Sequence, residues 1–332
     1  MFGVKVSSIG IYLPSKVLSN YDLQEMVDTT DEWITQRTGI KYRYISDKDS
    51  VTSDLALRAS LNAINNLKTN DVDKIDLIIL ATNSPDYIIP ATASVLHGKL
   101  KSKTNLISDN TGSMDVFSGC TAFVYALISA SSLIKSGVYK NILLVGSETI
   151  SKLVDWKDRT VCILLGDGAG SFILSYDKDS TRGLIDANVG SDGTKFDLIY
   201  IPVGGVKEPP NCENLNDRYL KMVGKEVFKI AITLIPAKIR ELLNKHNLKP
   251  NDIKLYIFHQ ANIRIINGIM ENLGIESNRV YNNIDRYGNT SAASVPIAFY
   301  EALQNGLVKE RDLVLFSAFG AGFTWANVLW RL

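Results

Sequence analysis

Cys120, His259 and Asn289 are the residues of this chain whose types and positions could carry nucleophilic chemistry. Cys120 stands between Gly119 and an apolar run over residues 124–128 that continues through Ala130 to Leu133 and Ile134, with Gly137 as its stop. The pattern predicts a thiol at or near the start of a buried helix. A free thiol with a pKa of about 8.5 is only a few per cent ionised near neutrality, and the thiolate is the nucleophile. Unpaired N–H groups and the helix dipole lower that pKa, so a thiol placed there is predicted to be activated. His259 follows the apolar run 253–258, and Asn289 follows Gly288. Taken singly, each has an ordinary explanation: a buried inert cysteine, a satisfied histidine at a strand end, and an asparagine in a turn or helix cap.

Composition narrows the classes. The 332 residues are 45% hydrophobic and 21% charged with a formal net charge of +1, so global charge points to neither a nucleic-acid partner nor a membrane surface. The length allows two ordinary domains or one large one. Three scattered cysteines (120, 162, 212) form no disulfide framework, and a reducing cytoplasm is the simplest compartment. Neither the cysteines nor His97, His246 and His259 show metal-ligand spacing. The N-terminal segment lacks the basic stretch and apolar core of a signal peptide, and no apolar run approaches the roughly 20 residues that span a bilayer.

The elements that must position these side chains are read from periodicity. Residues 4–12 predict an opening strand, 20–27 a short helix, 31–34 the start of another, and 53–67 a helix. Residues 75–80, 142–145, 253–258 and 313–316 predict strands buried on both faces. Residues 161–165 and 171–175 predict two more, joined by Gly166-Asp167-Gly168-Ala169-Gly170. This glycine run lacks the third glycine of a dinucleotide fingerprint and leads into a strand rather than a helix. Residues 181–218 predict a loop-rich connection, and 220–246 a long helix bent or interrupted at Pro236.

The two halves match each other. The run 75–80 corresponds to 253–258, and Gly119-Cys120-Thr121 to Gly288-Asn289-Thr290. A glycine follows at the same interval in each, at 137 and 306. The repeat predicts a duplicated α/β unit, with halves at 1–178 (carrying Cys120) and 179–332 (carrying His259 and Asn289). His259 then lies beyond a strand end, where α/β folds present ligand-binding groups.

In order along the chain, Cys120, His259-Gln260-Ala261-Asn262, the segment Tyr287-Gly288-Asn289-Thr290-Ser291-Ala292-Ala293-Ser294, and Phe319-Gly320-Ala321-Gly322-Phe323-Thr324-Trp325 closely resemble the thiolase superfamily. More narrowly they resemble β-ketoacyl-acyl-carrier-protein synthase III, with Val27-Asp28-Thr29-Thr30-Asp31-Glu32-Trp33-Ile34 and Arg37-Thr38-Gly39-Ile40 among the matching stretches. The resemblance implies a five-layered αβαβα fold of two duplicated halves, a homodimer, and no metal or cofactor. It implies that Cys120 takes the acyl group from an acyl-CoA and that malonyl-acyl carrier protein then loses CO2 and attacks the acyl-cysteine, with His259 and Asn289 as donors to the enolate. The resemblance further implies an oxyanion hole from the backbone N–H groups of Cys120 and Ala321, and an acyl pocket with Phe319 and, from the loop 83–90 of the neighbouring subunit, Ile89. Trp33, Arg37 and Arg159 match CoA-binding positions; Lys229 and Arg264 match positions that dock the carrier protein.

Four positions depart from the family pattern: Ala122 replaces a glycine, Tyr287 a histidine, Ala321 a glycine, and Lys225 an asparagine. Three of them are expected beside the acyl or pantetheine path, which points to a specialised paralogue as readily as to fatty-acid initiation. An acyltransferase passing the acyl group from Cys120 to an alcohol or amine is the second reading. A non-catalytic, chain-length-setting partner is the third, and the retained nucleophile speaks against it.

Overall fold

The computed structural model describes residues 2–68 and 72–332. In chain order the first elements are β1 (Gly3–Tyr12), β2 (Lys16–Ser19), α1 (Asn20–Gln24), α2 (Asp31–Thr38), β3 (Tyr42–Ile45), α3 (Thr52–Asn65), β4 (Leu77–Ala81), α4 (Thr92–Lys101), β5 (Gly112–Val116), α5 (Ala122–Lys135), β6 (Asn141–Glu148) and β7 (Gly168–Asp177). They are followed by β8 (Gly183–Ser191), β9 (Ile199–Tyr200), β10 (Lys221–Met222), α6 (Gly224–Lys245), β11 (Leu255–Phe258), α7 (Ile263–Leu273), α8 (Ile284–Tyr287), α9 (Ser294–Gln304), β12 (Leu313–Gly320) and β13 (Thr324–Arg331).

The apolar runs are strands because both of their faces are covered. Side chains alternate across a strand, and the alternation here sorts them into two cores. Leu77, Ile79, Ile142, Leu144, Leu255, Ile257, Val314 and Phe316 face a central core shared with α5 and α9. Ile78, Leu80, Leu143 and Val145 face an outer core with α3 and α4, while Tyr256, Phe258 and Leu315 face another with α6 and α7. The layers are therefore helix, sheet, helix, sheet, helix. Phe123, Phe172, Phe299 and Phe316 tie the middle together edge-to-face or tilted, at centroid separations of 5.1, 5.7 and 4.9 Å along the chain of contacts. Such pairs each contribute about 0.5–1.5 kcal/mol beyond area burial.

The first sheet has the order β1-β7-β6-β4-β5 and the second β8-β13-β12-β11. Each has a parallel pair (β4 with β6, β11 with β12) followed by an antiparallel strand (β7, β13) and an antiparallel edge (β1, β8). The repeat extends to backbone detail. Gly119 and Gly288, just before Cys120 and Asn289, have φ of +58° and +64°, and Gly137 and Gly306, past the two central helices, have +80° and +66°. These are left-handed values that favour glycine.

Three expectations are corrected. Residues 161–165 are not a strand: they form turns and one bridge, from Leu165 to Asn289. Their apolarity reflects burial with Leu23, Ile34 and Ile40, and a short apolar run cannot by itself distinguish strand from buried turn. Consequently β7 begins inside the glycine run, at Gly168. Within the predicted loop 181–218 lies the nine-residue strand β8, an edge strand paired among the described residues only with β13, whose mixed polar sequence hides its period. Finally, α6 begins at Gly224 and runs through Pro236 without a break. The Ile232 carbonyl, which loses its intrahelical donor to the proline, accepts from the Asn272 amide at 3.3 Å. No described helix is long and apolar enough to cross a membrane.

Candidate active site

Cys120 lies directly before the N-cap of α5, Thr121, and His259 directly after β11. Asn289 follows α8 and is bonded through its backbone to the turn segment, its N–H donating to the Leu164 carbonyl (2.8 Å) and its carbonyl accepting from the Gly166 N–H (3.0 Å). That segment is held by the buried Arg43, which donates to the Ile163 carbonyl (2.8 Å) and to Asn20 Oδ1 (2.9 Å). All three candidate side chains line one cavity of about 800 Å³ with mainly apolar walls.

Two donors are oriented into this cavity by hydrogen-bond counting. Asn289 Oδ1 accepts from the Ser291 N–H at 2.9 Å, so the amide NH2 is the end left for another partner, and no described residue accepts from it. His259 Nδ1 lies 2.7 Å from Ser294 Oγ, which also accepts, at 3.4 Å, from the Gln260 N–H. The Ser294 hydroxyl proton has Nδ1 as its one acceptor among the described residues. Nδ1 is therefore the unprotonated nitrogen and Nε2 carries the proton. Burial holds the imidazole at about 3, so it stays neutral at physiological pH.

The cysteine differs from expectation in one respect. Burial pushes its thiol up to about 11, and the nearby Glu148 adds to the rise, against the lowering from Ser291 and its own N–H. Desolvation outweighs the helix start in the resting site.

Gly119 and Gly320 bring two backbones together. A Cβ on Gly119 would lie 2.7 Å from the Ala321 nitrogen, and one on Gly320 would lie 2.6 Å from the Cys120 nitrogen. Among the described residues neither the Cys120 nor the Ala321 N–H donates to a backbone carbonyl. Gly320→Ala is expected to force these two segments apart, lowering stability by about 1–3 kcal/mol and slowing Cys120 acylation more than that loss explains. Thermal denaturation and single-turnover acylation check this on the same preparation.

At the other end of the cavity, Trp33 and Arg37 sit four residues apart on α2, hence on one face. The Arg37 and Arg159 guanidinium carbons lie 5.9 and 5.6 Å from the Trp33 ring centroid, and Trp33 is 38% exposed. Arg159 is also bonded to the Asp28 carbonyl (2.7 Å). The Asn262 amide donates to the Arg37 carbonyl (3.0 Å), which fixes α2 against the start of α7 and brings Arg264 to the same wall. Lys229, paired with Glu226 at 2.9 Å, and Lys225 are also on it. Phe319 lines the inner end, edge-on to His259 at 5.8 Å. Ile89 is 85% exposed and lies outside this cavity.

Comparison with known proteins decides the family. The models for 3-oxoacyl-[acyl-carrier-protein (ACP)] synthase III match residues 114–193, and those for its C-terminal part residues 243–332. The chain is 44% identical over 322 residues to the beta-ketoacyl-[acyl-carrier-protein] synthase III of Caldanaerobacter subterraneus subsp. tengcongensis, covering 96% of this chain and 94% of the relative. It superposes on the 3-oxoacyl-[acyl-carrier-protein] synthase III of Aquifex aeolicus with a TM-score of 0.88 at 41% identity, covering 99% and 100% of the two chains. The Thermus thermophilus synthase III structure gives 0.89 at 36%, with 98% of each covered.

The chain belongs to the β-ketoacyl-[acyl-carrier-protein] synthase III family.

Among the four departures from that family's pattern, only Lys225 lines the cavity. Tyr287 is buried with Ala293 and Ile297, its hydroxyl donating to Glu301 at 2.6 Å. Ala122 lies buried in α5, and Ala321 presents its backbone to Gly119. Conversely, sequence reasoning passed over Ser291, Ser294 and Glu148. The serines stand within the motif that carries Asn289; Glu148 ends a parallel strand, a place where α/β sheets present functional groups.

Proposed function

We propose that this chain catalyses the decarboxylative Claisen condensation of an acyl-CoA with malonyl-acyl carrier protein through an acyl-Cys120 intermediate, giving a 3-oxoacyl-acyl-carrier protein. This is the acyltransferase chemistry that initiates fatty-acid synthesis. The observation that carries the mechanism is the pair of fixed side-chain donors, His259 Nε2–H and the Asn289 amide, beside one thiol.

Cys120 attacks the thioester carbonyl, the CoA thiolate leaves, and the backbone N–H groups of Cys120 and Ala321 take the oxyanion. Loss of CO2 from the malonyl group then puts negative charge on its thioester oxygen. Two preformed donors there stabilise the enolate in a site where water competes poorly. The enolate carbon attacks the acyl-cysteine and releases the thiolate. Nothing in this sequence calls on a metal or cofactor, and no cluster of three or more potential metal ligands occurs among the described residues.

Trp33, Arg37 and Arg159 are proposed to hold the CoA nucleotide, the indole and a guanidinium plane offering stacking surfaces for a purine. Lys229 and Arg264, beside the cavity mouth, are proposed to meet the acidic carrier protein in the cytoplasm. The topology supports halves at 1–178 and 179–332, since the first sheet draws on strands up to Asp177 and the second on strands from Gly183. A homodimer fits the edge of β5, which is unpaired among the described residues and next to which Phe117 is 70% exposed, and the exposed Ile88 and Ile89.

Release of CO2 from labelled malonyl-acyl carrier protein, run over a panel of acyl-CoA primers, tests this reading. Product without CO2 release would assign an acyltransferase using an alcohol or amine. In the same panel, Ile89→Trp is expected to penalise longer primers selectively, because overpacking a filled pocket costs about 1–3 kcal/mol. Equal losses for short and long primers would remove Ile89 from the acyl pocket.

A further inference from the structure

Cys120 Sγ carries negative charge twice in a turnover: when it attacks the acyl-CoA carbonyl, and when the enolate expels it from the acyl-cysteine. Both moments fall on a sulfur in a cavity with mainly apolar walls, where a bare thiolate is costly. His259 and Asn289 serve the malonyl oxygen, and neither is hydrogen-bonded to the sulfur among the described residues. The side chain that is bonded to it is Ser291, whose hydroxyl donates to Sγ at 3.4 Å.

That hydroxyl is held in place from several sides. The Asn83 amide donates to Ser291 Oγ at 3.1 Å, occupying an oxygen lone pair, and among the described residues the hydroxyl proton has no acceptor except Sγ. The Asn83 amide is itself fixed by the Gly119 carbonyl at 2.9 Å and Glu148 Oε1 at 2.8 Å. Ser291 is buried, with φ +48° in the left-handed region that a residue with a side chain seldom occupies. Strain of this kind gathers where a side chain has to be aimed.

The titratable groups around the sulfur are few. Glu148, at the end of β6, raises the thiol, and burial raises the Glu148 carboxyl in turn, favouring its uncharged form. His259, after β11, is neutral. Arg37 on α2, Lys225 and Lys229 on α6 and Arg264 on α7 line the cavity, and none of them lowers the thiol. A hydroxyl dipole, rather than a cation, is what the side chains offer a thiolate here.

We propose that Ser291 is a catalytic residue whose hydroxyl stabilises the Cys120 thiolate by a hydrogen bond in both half-reactions, keeping its own proton throughout. On ionisation the S–H proton goes to water. The sulfur electron pair then forms the bond to the acyl carbon, the acyl–CoA C–S bond breaks, and CoA leaves as a thiolate that takes a proton from water. In the acyl-enzyme Sγ presents no charge to the hydroxyl. When the enolate carbon bonds to the acyl carbon, the Sγ–acyl bond breaks and its electron pair returns to Sγ. The hydrogen bond then strengthens again, since bonds to charged groups are roughly twice as strong as neutral ones. This role deepens the reading of Cys120 as the acyl-carrying nucleophile and rests on it.

The test is the rate of Cys120 alkylation by iodoacetamide against pH, followed on the Cys120 peptide of the full chain without acyl-CoA or carrier protein. Because the thiol is held well above neutrality, the native rate is expected to follow the thiolate fraction and climb about tenfold per pH unit. Ser291→Ala and Ser291→Gly are each expected to keep that slope and to lie at least about tenfold lower at every pH, since both remove a donor to a charged group. Glycine suits the positive φ. Ser291→Gly therefore separates loss of the hydroxyl from loss of fold, which thermal denaturation reads on the same preparation. Single-turnover acylation by acyl-CoA should fall by a similar factor in both variants, unlike Asn289→Ala, which keeps it. A merely structural serine predicts a looser site, with alkylation unchanged or faster. That outcome, a loss confined to one variant, or native acylation alongside slowed alkylation would each overturn the proposal. Because alkylation uses no substrate, failure of the condensation reading would appear in the CO2 assay and not in that rate.

Discussion

Cys120→Ala is expected to take up no acyl group from acyl-CoA, while the native chain gains one acyl mass per chain on the Cys120 peptide with no second substrate present. Condensation should fall toward background, a loss on the order of 10⁶-fold if it matches removal of other covalent nucleophiles. Neither remaining cysteine offers a substitute. Cys162 is fully buried with Ile163 and Leu165, and burial pushes its thiol up to about 11. Cys212 is exposed in a turn outside the cavity. Intact-protein and peptide mass spectrometry after a single exposure to acyl-CoA measures the outcome. A variant still acylated at the native rate would move the nucleophile elsewhere.

Asn289→Ala is expected to keep most Cys120 acylation and lose decarboxylation by about 10²- to 10³-fold, equivalent to about 2.7–4 kcal/mol of transition-state stabilisation. Acylation draws on backbone N–H groups, which side-chain truncation leaves in place. Enolate formation draws on the Asn289 amide, whose orientation is set by the bond from the Ser291 N–H to Oδ1. His259→Ala should behave in the same direction, and the imidazole's neutrality predicts no inflection from it between pH 5 and 8, since burial holds it at about 3. Single-turnover acylation and labelled CO2 release are measured on one preparation. Decarboxylation that survives in Asn289→Ala, or acylation that falls equally far, would return the site to simple acyl transfer.

The sequence by itself determined the elements whose cause is local. The buried strands, the helix after Cys120 and the glycine at the end of each central helix all follow from periodicity and from backbone conformations that favour glycine. The duplication was legible for the same reason: Gly119 and Gly288 stand one residue before Cys120 and Asn289, and both adopt positive φ. What failed was the segment 161–165. An apolar run is the same signal whether burial comes from a sheet or from folding over Arg43, and only tertiary packing distinguishes them. The edge strand β8 was lost because its pairing partner, β13, is far along the chain.

At the site, the sequence supplied Cys120, His259 and Asn289 as residue types in an order. It could not supply their protonation or direction. The His259 tautomer depends on a serine 35 positions away, and the thiol's neutral resting state on the burial around it and on Glu148. Such properties arise from desolvation and from hydrogen bonds between distant segments, which exist only once the two halves enclose one cavity.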